Sequence, residues 1–212
     1  MQYLIPYLRR FNRKERFFLV GLALGNEAFR LGDSFRQRLS DVLDLALPGD
    51  AFVAMDYHLD WLFASIYLAA TSGSPGPHPR DFRLIRGTHE DIDLLVAFDA
   101  GEQSHVIMLE AKGVTSYSNR QFASKMARLA AAFETPQARR VAPYLVLVSP
   151  AQPQKLHGVG PAWVFGKDGR IPWLHLPLPA DLQKVVRCTE TGAPSSQGKY
   201  WTAKPEKSFP GA

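Results

Sequence analysis

The run HVIMLEAK, His105–Lys112, is apolar as far as Glu110 and then carries a carboxylate and an ammonium two positions apart; the apolar run before it, EDIDLLVAFD, carries a second carboxylate at Asp93. Between the two runs lies AGEQ, in which Gly101-Glu102 suits a two-residue turn with glycine first, and a four-residue loop over Ala100–Gln103 gives the same register. Either turn sets Asp93 opposite Glu110. Strand side chains alternate, so Lys112 projects from the same face as Glu110 and the three groups gather at one end of the hairpin. Two carboxylates directly opposed on an otherwise apolar sheet repel each other, and a divalent cation resolves the conflict. Magnesium, with manganese as the expected substitute, takes carboxylate oxygens and waters and leaves room for a phosphate oxygen. A lysine beside it can orient or help deprotonate a water and can offset charge developing on a phosphorane.

The elements that must position these groups follow from periodicity. Asn12 with Glu15 three positions on predicts a helix start of the capping-box kind, in a helix stopped by Gly32. A second helix fits Ser34–Leu47, closed by Pro48-Gly49, and a third carries the stripe Met55, Leu59, Leu62, Phe63, Ile66, Tyr67 and ends at TSGSPGPHP. From Phe82 the pattern changes to short apolar runs, FRLI, Ile92–Phe98 and His105–Ala111, which predict consecutive strands. A helix from Asn119 to Phe133 and a strand YLVLVS, apolar on both faces, come next. Beyond Pro150, WVFGKDGRIPWLHL suits a hairpin, and KVVRCTE with KYWTA suits two short strands. The order helix, three strands, helix, strand implies an α/β fold with a mixed sheet flanked by helices. The expected organisation is one domain over 1–212: a helical extension (1–50), a core (51–150) and a strand-rich C-terminal extension (151–212).

These residues and their order resemble the PD-(D/E)xK nucleases, the superfamily with the restriction endonuclease-like fold. Asp93 matches the first acid and Glu110-Ala111-Lys112 the E-x-K, over a stretch from about Met55 to Ser149; Ile92 stands where the family name has proline. The resemblance implies a magnesium-dependent nuclease acting on DNA, with Asp93, Glu110 and Ala111 as metal ligands and Lys112 serving the attacking water. Some subfamilies add a Gln-x-x-x-Tyr pair on the following helix. Gln121 fills the first place as a candidate catalytic residue, and Lys125 departs from tyrosine at the second. A further acid from the helix before the first strand is matched by Asp60 or Asp56, spaced i, i+4. Gln121, Lys125 and Arg128 are expected on one helix face opposite the stripe Phe122, Met126, Leu129, where Lys125 and Arg128 are candidate nucleic-acid contacts and a solvated helix face is the plainer alternative.

Composition bounds these readings. The chain has 212 residues, 46% hydrophobic and 21% charged, which places it with ordinary globular proteins and not with disordered ones. A net charge of +5 and pI near 9.4 favour an acidic partner such as DNA. Cys188 is the single cysteine, which excludes an internal disulfide and a thiolate zinc cluster and fits a reducing cytoplasm. FFLVGLALG is too short to span a bilayer and lacks a cleavage site, so no membrane role is expected. A homodimer is compatible with the sequence. The histidines, among them His89 and His105, lack metal-ligand spacing; Ser116, Ser118 and Cys188 lack a nucleophile elbow. GVG and GKDG are too short for phosphate loops and read as turns. Trp163, Trp173 and Trp201 could stack bases, but core packing suits aromatics on strands better. Two rival readings of the hairpin site remain, a solvated Glu110–Lys112 salt bridge and a catalytically silent nucleic-acid-binding or protein-interaction module of the same fold.

Overall fold

Ala51–Ala70 contains neither glycine nor proline, yet it changes structure midway. In the computed structural model, which describes residues 3–81, 83–87, 90–113, 117, 119–153, 156 and 160–206 (the side chains of 119–121 excepted), Phe52–His58 is a strand, β1, and Leu59–Ala70 a helix, α4. The helical stripe expected from Met55 therefore begins only at Leu59, with Leu59, Leu62, Ile66 and Ala69 buried. His58, extended at φ −62°, ψ 137°, is the N-cap that separates the two. β1 takes the place in the sheet expected for FRLI. Arg83 and Leu84 instead form a turn, Ile85 lies outside any strand, and Phe82 is outside the described residues.

Three helices precede β1: α1 (Ile5–Phe11), α2 (Glu15–Ala23) and α3 (Asp33–Leu43). The helix expected between Asn12 and Gly32 is α2, which already ends at Ala23, and α1 precedes it. Asn12 is the C-cap of α1, and α2 starts from Lys14 with no side-chain cap bond, so no capping box forms. α3 ends short of Leu47 because Asp44 turns left-handed at φ 51°.

The remaining strands of the main sheet are β2 (Asp91–Ala100), β3 (Gln103–Ala111), β4 (Val141–Ser149) and β5 (Trp173–His175), in the spatial order β1-β2-β3-β4-β5. β2 runs antiparallel to both neighbours, while β3, β4 and β5 are mutually parallel. The β2–β3 hairpin turns at Gly101 and Glu102, and Gly101 supplies the left-handed backbone, φ +59°, that the tight turn requires. This fixes the pairs Leu94–Leu109 through Ala100–Gln103, the register expected from the turn. The parallel β3–β4 connection needs a crossover, which helix α5 (Asn119–Phe133) provides.

The protein is therefore mixed α/β, with a five-stranded mixed sheet flanked by helices. Alternation divides the apolar strand residues between two cores. Ala54, Leu95, Ala97, Val106, Met108 and Leu147 face a layer built on α1, α4 and α5. Val53, Val96, Ile107, Leu109, Val146 and Val148 face α3. A sheet covered on both faces needs such continuous apolar runs.

The segment WVFGKDGRIPWLHL is not a hairpin. Ala162–Val164 is a single 3-10 turn, Gly166 N–H donates to Arg170 O at 2.7 Å across a tight loop, and β5 then joins β4 in parallel. The two short C-terminal strands are present as β6 (Gln183–Cys188) and β7 (Tyr200–Pro205), paired in a separate antiparallel ribbon. Trp163 and Trp173 pack against the core, but Trp201 on β7 is 69% exposed. Among the described residues no helix is long and apolar enough to cross a membrane.

Candidate active site

Asp93 and Glu110 meet where the β2–β3 ladder gives out. The last main-chain pair is Leu94–Leu109, and one step further Asp93 Oδ2 accepts the main-chain N–H of Ala111 at 2.7 Å. A side chain thereby replaces the ladder, and the Asp93 carboxylate is held beside the end of β3. Glu110 shares the strand parity of Val106 and Met108, so it lies on the sheet face covered by α5 and is only 8% exposed. Burial pushes its carboxyl up to about 7, against the partial relief given by Lys125 and Lys112; the charge of Asp93 pushes the same way as burial.

Lys125 on α5 reaches back to this point. Its Nζ donates to Glu110 Oε1 at 2.7 Å and to the main-chain oxygen of Asp91 at 2.7 Å. Asp91 is itself bound by Lys14 Nζ at 2.8 Å and His58 Nδ1 at 3.2 Å. Tyr117 closes the other side: its hydroxyl donates to Glu110 O at 2.6 Å and accepts Val148 N–H at 3.2 Å, tying β3 to β4 just past the site. Burial raises the Tyr117 phenol, which stays neutral. Lys112 anchors its main chain on Val148 O at 2.9 Å, and its half-buried ammonium has no partner among the described residues. The ion pair of Glu110 is thus with Lys125, not Lys112, and it is buried, which removes the reading of Glu110–Lys112 as a solvated salt bridge.

Several expected site residues lie elsewhere. Arg128 is 2% exposed and not on a solvated face; it pairs with Asp60 and Glu90 and donates to Leu84 O at 2.7 Å. It therefore pins Leu84 and Glu90 onto α4 and α5 and offers nothing to a phosphate. Lys125 likewise points inward, to Glu110. Asp60 lies on α4, held by Arg128 and by the N–H of Gly87 at 2.8 Å. Asp56 is not on a helix with it. In the β1–β2 register it stands opposite Asp93, between the pairs Met55–Leu94 and Tyr57–Ile92, but its left-handed backbone at φ 49° breaks the ladder there and Arg16 holds its carboxylate at 2.9 Å. The row Asp56, Asp93, Glu110 consequently forms no three-carboxylate cluster among the described residues. The Gln121 side chain, His89, Ser116 and Ser118 lie outside the described residues.

Sequence reasoning misses Tyr117 and the pairing of Lys125 with Glu110. Tyr117 carries no periodic signal. Lys125 does: it follows Gln121 by one helical turn, and its distance from Glu110 is the length of one crossover.

The donor set fits a hard divalent cation. Two carboxylates and the adjacent Ala111 main-chain oxygen are oxygen donors of the kind magnesium takes, and a buried Glu110 whose ionised form is disfavoured is what a nearby cation would stabilise. Ala111 N–H fixes one Asp93 oxygen and Lys125 one Glu110 oxygen, so each acid keeps a second oxygen for a ligand. No family model matches the chain, and no curated protein or solved structure matches it.

Proposed function

We propose that the chain is a magnesium-dependent nuclease with the restriction endonuclease-like fold, hydrolysing phosphodiester bonds in DNA. The observation that carries this reading is the meeting of Asp93 and Glu110 at one hairpin end, with the ammonium of Lys112 beside them and unpartnered among the described residues. The element order supports it too: β1, β2 and β3, then α5, then β4, after a helical N-terminus, with α4 inserted between the first two strands.

Asp93, Glu110 and the Ala111 carbonyl would hold the metal, which supplies charge for the phosphate oxygens and lowers the pKa of a bound water. Lys112 hydrogen-bonds the attacking water and balances negative charge on the phosphorane. Water oxygen bonds to phosphorus, the 3′ oxygen leaves and takes a proton, and the products are a 5′-phosphate and a 3′-hydroxyl. Lys125 acts as a positioning residue, holding one oxygen of Glu110 so that the other faces the ligand. Gln121, one helical turn before Lys125, belongs to the same site in this reading.

The buried Glu110–Lys125 pair also favours a second reading, a silent nucleic-acid-binding module in which an ammonium stands where a metal would. Assays on single-stranded, duplex and flapped DNA with magnesium or manganese separate the two. Cleavage that is lost in Asp93→Ala, Glu110→Ala and Lys112→Ala, with metal binding retained in Lys112→Ala, is the expected result. Activity unchanged in all three variants would sink the nuclease assignment.

A further inference from the structure

The turn from α1 into α2 is docked along the sheet end that carries the acids. From Arg9 to Arg16 the chain has five cations and one carboxylate, Glu15. Contacts fix three of these cations at the candidate site. Lys14 Nζ is bound to Asp91 Oδ2 at 2.8 Å, and the main-chain oxygen of the same Asp91 receives Lys125, which holds Glu110. Arg16 Nη2 lies 2.9 Å from Asp56 Oδ2, and in the β1–β2 register Asp56 stands opposite Asp93, one strand spacing of about 5 Å away. The Arg13 guanidinium lies over Trp61 at 5.8 Å. Lys14 approaches the same ring at 6.0 Å, and that ring packs on His58, a partner of Asp91.

These cations are not equivalent. Lys14 is engaged by Asp91 and its side chain is only 18% exposed, so it anchors the turn. Arg13 and Arg16 are exposed, Arg13 without an ion-pair partner among the described residues and Arg16 with Asp56 alone. Asp56 holds Arg16 from a left-handed backbone, φ 49°, which is uncommon for a non-glycine residue inside a strand and breaks the ladder beside Asp93. An ion pair open to water contributes little to stability, too little to account for that conformation. Holding a guanidinium at a fixed place beside the site accounts for it, since backbone outliers gather at ligand clamps.

We propose that Arg13 and Arg16 bind backbone phosphates of the DNA strand that crosses Asp93 and Glu110, with Asp56 as the positioning residue for Arg16. Charge selects this occupant. A metal on the two acids answers the charge of one phosphate, and the phosphates on either side need cations from the protein. The Arg16 side chain is 65% exposed, so its planar fork keeps donors in water beyond the one at Asp56, in the geometry that phosphate oxygens accept. Stacking over Trp61 orders Arg13 before any ligand arrives. Both contacts are to phosphate and carry no base preference. The inference rests on the nuclease reading for its role, holding the strand across the acids, but its binding test does not depend on cleavage.

The test is fluorescence anisotropy in chelator, with a labelled duplex and its single strand, between about 50 and 200 mM salt. The parent should bind. Arg13→Ala and Arg16→Ala should each weaken binding and lower the salt slope by about 0.9 on the duplex and about 0.7 on the single strand. Arg16→Lys keeps the charge and should keep the slope. Lys167→Ala removes a cation on the α3 side of the sheet, where Lys167 pairs with Asp44, and should leave the slope parental. Asp56→Asn should weaken binding although it removes an acid from the DNA's path; tighter binding would overturn its positioning role. Arg13 and Arg16 are exposed, so parental melting curves show the alanine variants folded. No binding by the parent, a parental slope in both alanine variants, or an equal drop in Lys167→Ala overturns the proposal. A lower melting temperature in Arg16→Ala with a parental slope makes Arg16 a structural ion pair and overturns its share. Arginine-dependent slopes without magnesium-dependent cleavage by the parent remove the nuclease reading and leave this one; cleavage with parental slopes in both variants does the reverse.

Discussion

Lys125 Nζ lies 2.7 Å from Glu110 Oε1 and 2.7 Å from the carbonyl oxygen of Asp91. One ammonium on the crossover helix thus joins the ends of both strands that carry the acids. It binds the charged form of a carboxylate that burial disfavours, and its influence must depend on whether that carboxylate is ionised.

Replacing Lys125 by alanine should therefore cost little in acid and more in base. Without its nearest cation the Glu110 carboxyl rises further, so at pH 5.5 Glu110 stays protonated at little cost, whereas at pH 8.5 the native state must either keep a proton that the unfolded chain releases or bury an unpaired charge. Urea denaturation should show a loss of about 1–3 kcal/mol at the higher pH and a clearly smaller one at the lower. Equal losses at both would mean that Lys125 serves only packing.

Glu110 also sets the sign of the parent's own pH dependence. A carboxyl raised from 4.5 to about 7 on folding binds its proton more tightly in the native state. Its stabilising contribution is full below about pH 4.5 and is lost as pH rises through about 7, by up to about 3 kcal/mol. Glu110→Gln should be flat across that window and should melt above the parent at pH 8 in chelator. Asp93→Asn should also melt higher there. Added magnesium should stabilise the parent and neither variant, whereas lower melting in both, with no magnesium response in the parent, would make the pair part of the fold alone.

Arg128 should behave as an internal strut. Arg128→Ala leaves Asp60 and Glu90 without their cation and should destabilise by about 3–5 kcal/mol. Arg128→Met combined with Asp60→Asn should lose less than the sum of the single changes. Below its melting temperature the Arg128 variant should keep the parental salt slope for DNA, since Arg128 reaches no solvent. A reduced slope would return it to the DNA-contacting surface.

The hairpin was legible in the sequence because a glycine-led turn and period-two alternation fix register locally, and this alone brings Asp93 to Glu110. The β1–α4 boundary was not, since Met55 suits the strand before it and the helical stripe after it, and no glycine or proline marks the change at His58. Arg128 was illegible for a different reason. On an isolated α5 it belongs with polar residues, and its burial is imposed by Glu90, Leu84 and Asp60, which the helix pattern does not contain. Asp56 was placed on a helix because a left-handed residue inside a strand leaves no periodic trace.

The two-residue turn at Gly101 has a kinetic consequence. Hairpins of this kind close in microseconds, whereas Lys125 reaches Glu110 only when α5 and β4 have docked, a slower and less local event. During refolding the two acids meet before their cation arrives. That encounter is repulsive, because Glu110 in the open hairpin lacks the burial that raises its carboxyl in the native state. Stopped-flow refolding at pH 8 should therefore be faster in Glu110→Gln than in the parent, making the speed of maturation a property of a single side-chain charge.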